Sequence, residues 1–270
     1  MASCEDRLRE ANQARHNGNH SRSRALLLQA WALAQDDVAR RRVLRAWFRV
    51  AEGAPADLRF VFEAEWLRLC IADTTWHPST LTHSHELVRL AQVSQQEPTA
   101  ICWLESVLHA AYTTGASVAE VVKLCEWLAR LNKRAGELPE AARWLEVALL
   151  VQHQATGLPD PNLKRLLAYL LGKEAPDLAE QHLREAILLA SAQEGETSAF
   201  ALRFWEALAR FFRGLDQPAQ AQLVYAEARA LFQSAELPSA EALRWVSLRQ
   251  ASQGSPQPPG THELLVTVPV

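Results

Sequence analysis

The stretch WEALARFFRGLDQPAQAQLVYAEA, residues 205–228, decides the fold. Trp205, Leu208, Ala209 and Phe212 fall at i, i+3, i+4 and i+7, which places them on one face of an α-helix. Ala221, Tyr225 and Ala228 do the same on a second helix that opens at Pro218, a residue whose missing N–H costs nothing in a first helical turn. Only a few residues lie between the two faces, so the helices must return antiparallel, as a hairpin. Alanines let the helices approach closely, and Trp205, Phe212 and Tyr225 fill the space that the approach leaves.

Upstream the pattern repeats. Leu128, Ala129, Gly136, Ala141, Leu145 and Ala148 stand at the same offsets, with Gly136 at the turn, and Leu163, Leu166, Leu167, Leu170, Ala179, Leu183 and Ala186 form a third copy. A weaker N-terminal copy reads Gly18, Ser23, Leu27 and Ala30, with Ala14 where an aromatic would stand; residues 37–116 read as helical hairpins without the signature. These copies resemble the tetratricopeptide repeat (TPR), which places an aromatic, a leucine, a small residue and an aromatic on its first helix and small, aromatic and small residues on its second. The resemblance implies an all-α, right-handed α–α superhelix, a TPR-like solenoid of about six hairpins with a C-terminal capping helix. Ala141, Ala179 and Ala221 are 38 and 42 residues apart. The repeat's own period is about 34, so longer helices or loops are implied.

Periodicity and punctuation predict helices near residues 2–17, 20–35, 37–52, 56–72, 79–95, 98–114, 117–135, 138–154, 160–172, 176–192, 196–214, 218–234 and 238–252. Asp36 or Asp37 caps the third, Pro98 opens the sixth, and Ser117 with Glu120 forms a capping box. The expected domain is 1–252; residues 253–270, with Gly254, Pro256, Pro258, Pro259 and Gly260, read as a flexible tail. Its Val268-Pro269-Val270 end weakly resembles a PDZ ligand, with a frayed or folded-back tail as the alternative.

Composition narrows the function. The 270 residues carry a net charge of −3, without the basic surplus of a general nucleic-acid binder. Charge is uneven, because the first fifty residues hold ten arginines against five acids. Four scattered cysteines lack a C-x-x-C pair, and Cys70, Cys102 and Cys125 lie in apolar helical runs, where a reduced thiol acts as a small hydrophobe. With neither a signal segment nor a membrane-length apolar stretch, the expectation is a soluble, intracellular, cytoplasmic protein, the nucleus remaining open.

No phosphate-binding glycine loop, nucleophile elbow or paired-cysteine motif is present, so neither enzymatic activity nor a cofactor is expected. His77, His83 and His85 with Cys70 are the one candidate metal group; alternate spacing sends His83 and His85 different ways on a helix, and no metal is expected. Eight tryptophans sit at core spacing, while Trp76, beside His77 and Pro78, is either a contact residue or covers a hairpin end.

Resemblance to TPR proteins implies that first helices line a concave face that holds a partner segment. On that reading Arg130, Lys133 and Arg134, then Lys164, then Arg203, Arg210 and Arg213 form a basic track, with Lys123 beside it and Glu126 and Glu206 interrupting it. The alternative is a solvated face with i,i+4 pairs Glu126–Arg130 and Glu206–Arg210. The Lys and Asn arrangement of chaperone-binding members is missing, so their ligand is not expected. Arg42, Arg45 and Arg49, within the run from Arg40, form a secondary basic surface opposite Trp47; lacking interleaved aromatics, it argues against nucleic acid. The reading is a non-enzymatic protein-interaction scaffold or adaptor that holds a protein or peptide of acidic character in a locally basic groove. The alternative is a regulatory or sensory helical domain for a small ligand or signalling peptide. End faces leave room for homo-oligomers, with helix 238–252 as a cap.

Overall fold

The computed structural model describes residues 2–73, 76–172 and 174–234. Among them are twelve α-helices and no strand. The predicted thirteenth helix and the tail lie outside the described residues. The chain divides into two compact units, Met1–Leu158 and the part from Pro159 onward.

The first unit contains α1 (Cys4–His16), α2 (His20–Leu33), α3 (Asp37–Trp47), α4 (Ala56–Ile71), α5 (Ser79–Ser94), α6 (Glu97–Thr114), α7 (Val118–Ala135) and α8 (Leu138–Thr156). The second contains α9 (Pro161–Leu171), α10 (Pro176–Glu194), α11 (Ala199–Gly214) and α12 (Pro218–Ser234). Within each unit successive helices pack as hairpins, and first helices also touch across hairpins, α1 on α3, α5 on α7 and α9 on α11. This is the TPR-like arrangement, all-α, and the anticipated helix faces are buried: Trp205, Leu208, Ala209 and Phe212 on α11, Ala221, Tyr225 and Ala228 on α12, and Ala141, Leu145 and Ala148 on α8. The wide repeat spacing comes from length, since α8 and α10 each run for 19 residues.

The anticipated caps form. Asp36 Oδ1 accepts from Ala39 N at 2.7 Å. Glu120 Oε2 accepts from Ser117 N at 2.8 Å, completing the capping box, while Glu120 Oε1 takes the indole N–H of half-buried Trp76 at 2.8 Å. Trp76 thus covers a hairpin end. Helix α3 stops at Trp47, five residues before its predicted end, and a turn carries Val50 and Ala51 into the core. Cys70 and Cys125 are buried, and burial pushes the Cys125 thiol up to about 12. Cys102 corrects the expectation for its class, because it faces outward from α6.

Turns after α1, α5, α7 and α11 share one device, a left-handed residue followed by an N–H that reaches back five residues. Gly136, at φ 87°, precedes the Glu137 N–H to Asn132 O bond of 2.8 Å. Gln95 holds the equivalent place between α5 and α6 at φ 57°, with Gln96 N to Ala91 O at 3.0 Å. A Cβ at Gly136 would meet nothing within 4 Å, so only its backbone conformation opposes a side chain. Gly136→Ala is therefore expected to cost about 1 kcal/mol, and Gln95→Gly to add about 0.5–1 kcal/mol. Urea midpoints at constant slope check both.

The region without repeat signatures is built differently. Where α4 meets α5, charged pairs are added to the buried small residues Ser84 and Ala91 of α5: buried Glu63 accepts from His83 Nδ1 at 2.6 Å, and Arg59 pairs with Glu86, which also takes Arg89 at 2.8 Å. Beyond it α6 returns to the repeat register with Ala100, Leu104 and Val107, all fully buried.

Candidate functional site

Two clefts open between successive first helices, one in each unit, and arginines line both. In the first unit α1 contributes Glu5, Leu8, Arg9 and Asn12, α3 contributes Arg42, Arg45 and Ala46, and the turn after α3 contributes Arg49, around about 370 Å³. The α1 set is spaced i, i+3, i+4, i+7, one stripe two turns long, while Arg42, Arg45 and Ala46 form a shorter stripe that Arg49 prolongs past the end of α3. Leu8 and Ala46 are buried and form the floor, and the four arginines are exposed along the walls. Arg42 pairs with Glu5 across the cleft.

This geometry sorts the arginine run of α3. Arg41 is bidentate to Asp73, at 2.9 and 2.7 Å, and donates to Leu69 O at 2.7 Å. Arg40 lies over Trp31, 5.6 Å from its ring, and reaches Glu65 at 3.5 Å. Those two fasten α3 to its neighbours. Arg42, Arg45 and Arg49 point the other way, as their spacing anticipated, and meet Arg9, which sequence reasoning missed because only packing of α1 on α3 brings it there.

In the second unit α9 supplies Asn162, Arg165 and Tyr169, and α11 supplies Arg203, Phe204, Glu206, Ala207 and Arg210, around about 230 Å³. Arg165 lies over the Tyr169 ring at 5.9 Å. Arg210 pairs with Glu206, as anticipated for a solvated face. Three cations thus stand against one carboxylate. Burial holds the Tyr169 phenol above its ordinary value, and a hydrogen bond from Arg165 opposes that rise.

The predicted basic track is only partly assembled. Arg203 and Arg210 come together, with Arg165 rather than Lys164 beside them. Lys164 turns toward α10, where its Nζ donates to Glu185 at 2.6 Å and lies 3.4 Å from His182. One residue is a rotation of about 100° on a helix, which sends Lys164 and Arg165 to different neighbours. The Asn162, Arg165, Tyr169 stripe at i, i+3 and i+7 is the signal that could have found the second. Arg213 donates to the Tyr225 hydroxyl at 3.3 Å, inside the α11–α12 hairpin. In the first unit Arg134 is taken by Glu97 at 3.2 Å and Gln92 O at 3.4 Å. Arg130 and Lys133 are exposed on α7 and line neither cleft. Glu126 pairs with Lys123 at 2.9 Å rather than with Arg130.

The histidines diverge. His83 is held by Glu63 and packed between Phe48 and Trp66, with ring centroids at 4.7 and 5.1 Å. His77 bonds Ser79, and His85 lies 5.4 Å from the Trp127 ring. Among the described residues no group of His, Cys, Asp and Glu is set to hold a metal ion, and no helix is long and apolar enough to cross a membrane.

The fold defines the class: a TPR-like, all-α helical-repeat protein. No family model matches the chain, and no curated protein matches it. Among solved structures, BtubC (BKLC) from P. vanneervenii is 15% identical with a TM-score of 0.50, covering 100% of both chains. The TPR-like repeats of a putative kinesin light chain from Podosopora anserina are 19% identical with a TM-score of 0.48, over 93% of this chain and 99% of that one. TTC0263, a thermophilic TPR protein of Thermus thermophilus, is 17% identical with a TM-score of 0.37, over 76% and 99%. At such identities the likeness is one of fold.

Proposed function

We propose that this protein is a non-enzymatic interaction scaffold that holds an acidic segment of a protein partner against the first helices of its repeats. The observation that carries the proposal is the α9–α11 cleft, where Arg165, Arg203 and Arg210 meet on a floor of Phe204 and Ala207. Arginine forks take carboxylates bidentately, and the apolar floor accepts the aliphatic stems of the same side chains. Arg203 is exposed and hydrogen-bonds to no described residue, so a ligand need not break an existing contact there. Both clefts are open to solvent along their length, which suits a chain passing through rather than an enclosed small molecule.

The test is a titration of the full chain with a capped, fluorescein-labelled hexapeptide of alternating Glu and Ala. Arg203→Glu and Arg210→Glu are each expected to weaken binding about tenfold, the loss of a charge-assisted contact. Glu206→Gln should strengthen it, by removing the carboxylate that competes for Arg210. Unchanged affinity in folded Arg203→Glu and Arg210→Glu proteins would remove this cleft from the reading.

A further inference from the structure

The α1–α3 cleft differs from the α9–α11 cleft in charge and in what its cations already touch. Four arginines face a single carboxylate, and Arg9, Arg45 and Arg49 hydrogen-bond to no described residue. The one internal contact, Arg42 to Glu5, has side chains 58% and 61% exposed, so water competes for it and a stronger anion can displace it. Like charges crowded into one trough repel one another, and an anion that bridges them relieves that repulsion.

We propose that this cleft recognises a phosphorylated serine or threonine of a protein partner, followed two residues later by an acidic side chain. The length sets the number of ligand residues. The α1 stripe spans seven helical steps, so the trough is about 10 Å long, which takes about three residues of an extended chain. Side chains of an extended segment alternate, so of three consecutive residues only the first and third face the floor. Two carboxylates there bring a charge of about −2, short of the surplus of the four arginines over Glu5. A phosphoryl group brings about −1.5 to −2 at one point, with three acceptor oxygens that can meet forks from both walls at once, and a carboxylate two residues on completes the balance. Leu8 and Ala46 lie beneath the ligand, and their apolar floor carries its backbone rather than another charge. Asn12 adds an amide at the end of the α1 stripe.

Glu5 then acts as an internal competitor. It occupies Arg42 in the free protein and must leave for the phosphoryl group to engage all four cations.

The experiment uses the full chain and three capped, labelled nine-residue peptides, alike except for central pSer-Ala-Glu, Ser-Ala-Glu or Glu-Ala-Glu. The phosphopeptide is expected to bind at least about tenfold more tightly than either of the others. Arg45→Glu and Arg49→Glu, both surface changes, should each remove most of that preference, Arg45→Lys should remove part of it, and Glu5→Gln should raise phosphopeptide affinity. Arg203→Glu, in the other unit, should leave it unchanged; this separates the inference from the acidic-segment reading, which fails or stands on Arg203 and Arg210. Equal binding of the phosphorylated and Glu-Ala-Glu peptides would overturn the proposal, as would full phosphopeptide affinity in folded Arg45→Glu and Arg49→Glu proteins. So would a single-stranded oligonucleotide that binds this cleft more tightly than the phosphopeptide.

Discussion

Replacing Trp47 with alanine is expected to destabilise the first unit by about 3–5 kcal/mol, the upper end of what a single side chain contributes to a core. Trp47 is fully buried, stacked on Phe62 of α4 with ring centroids 4.3 Å apart, and Phe62 in turn receives the edge of Trp31 from α2 at 5.3 Å. Phe62 thus links α3 to α2, and removal of Trp47 leaves a cavity beside an aromatic neighbour that cannot collapse into it. Trp47→Phe keeps a ring against Phe62 and should lose clearly less. Urea unfolding followed by far-ultraviolet circular dichroism compares the two. The same helix carries Arg42 and Arg45 on its opposite side and leads into Arg49, so Trp47→Ala should also abolish any binding at the α1–α3 cleft, whereas the surface arginine variants should leave stability within about 0.5 kcal/mol.

His83→Ala is expected to cost about 3–5 kcal/mol at neutral pH, because it leaves the buried Glu63 carboxylate without its partner. Burial already holds the Glu63 carboxyl above its ordinary value of 4.5, outweighing the hydrogen bond from His83; nearby Glu86 adds to the rise and Arg59 opposes it. In the folded chain Glu63 thus keeps its proton at a pH where the unfolded chain has lost its own. Its contribution favours folding at low pH and declines as pH rises from 4.5 through the raised folded value. Without His83 the folded value rises further, so the deficit of the variant should be small near pH 4 and grow toward neutrality. Glu63→Gln, a neutral side chain of the same shape, should flatten that dependence. A deficit independent of pH would assign the whole effect to lost packing between Phe48 and Trp66.

These two sites also explain what could be read in the sequence. Ala141, Ala148, Ala179, Ala186, Ala221 and Ala228 are all buried because hairpin packing demands small residues at fixed intervals, and such a demand leaves a periodic trace in one dimension. The α4–α5 contact adds Glu63, His83, Arg59 and Glu86, types that elsewhere mark an exposed face, and these obscured the small buried positions Ser84, Ala91 and Ala100 within residues 37–116. The candidate site was half legible for a related reason. Spacing alone put Arg42 and Arg45 on one face and brought Arg203 near Arg210, since those relations lie within one helix, and the turn just past α3 keeps Arg49 beside the first two. Which cation is already engaged depends on a neighbour more than ten residues away in sequence: Glu185 for Lys164, Glu97 for Arg134, Tyr225 for Arg213. Arg9 and Arg165 enter the clefts for the same reason, through α1 packing on α3 and α9 on α11.

Selection of a random heptapeptide library on the full chain, repeated on the folded Arg203→Glu, Arg210→Glu double variant, tests the central claim most directly. An acidic scaffold ligand predicts peptides rich in Asp and Glu on the unaltered chain, with at least one class lost on the double variant. Selected peptides that are apolar or basic, or acidic peptides recovered equally from both proteins, would contradict the assignment of the α9–α11 cleft as a site for an acidic partner.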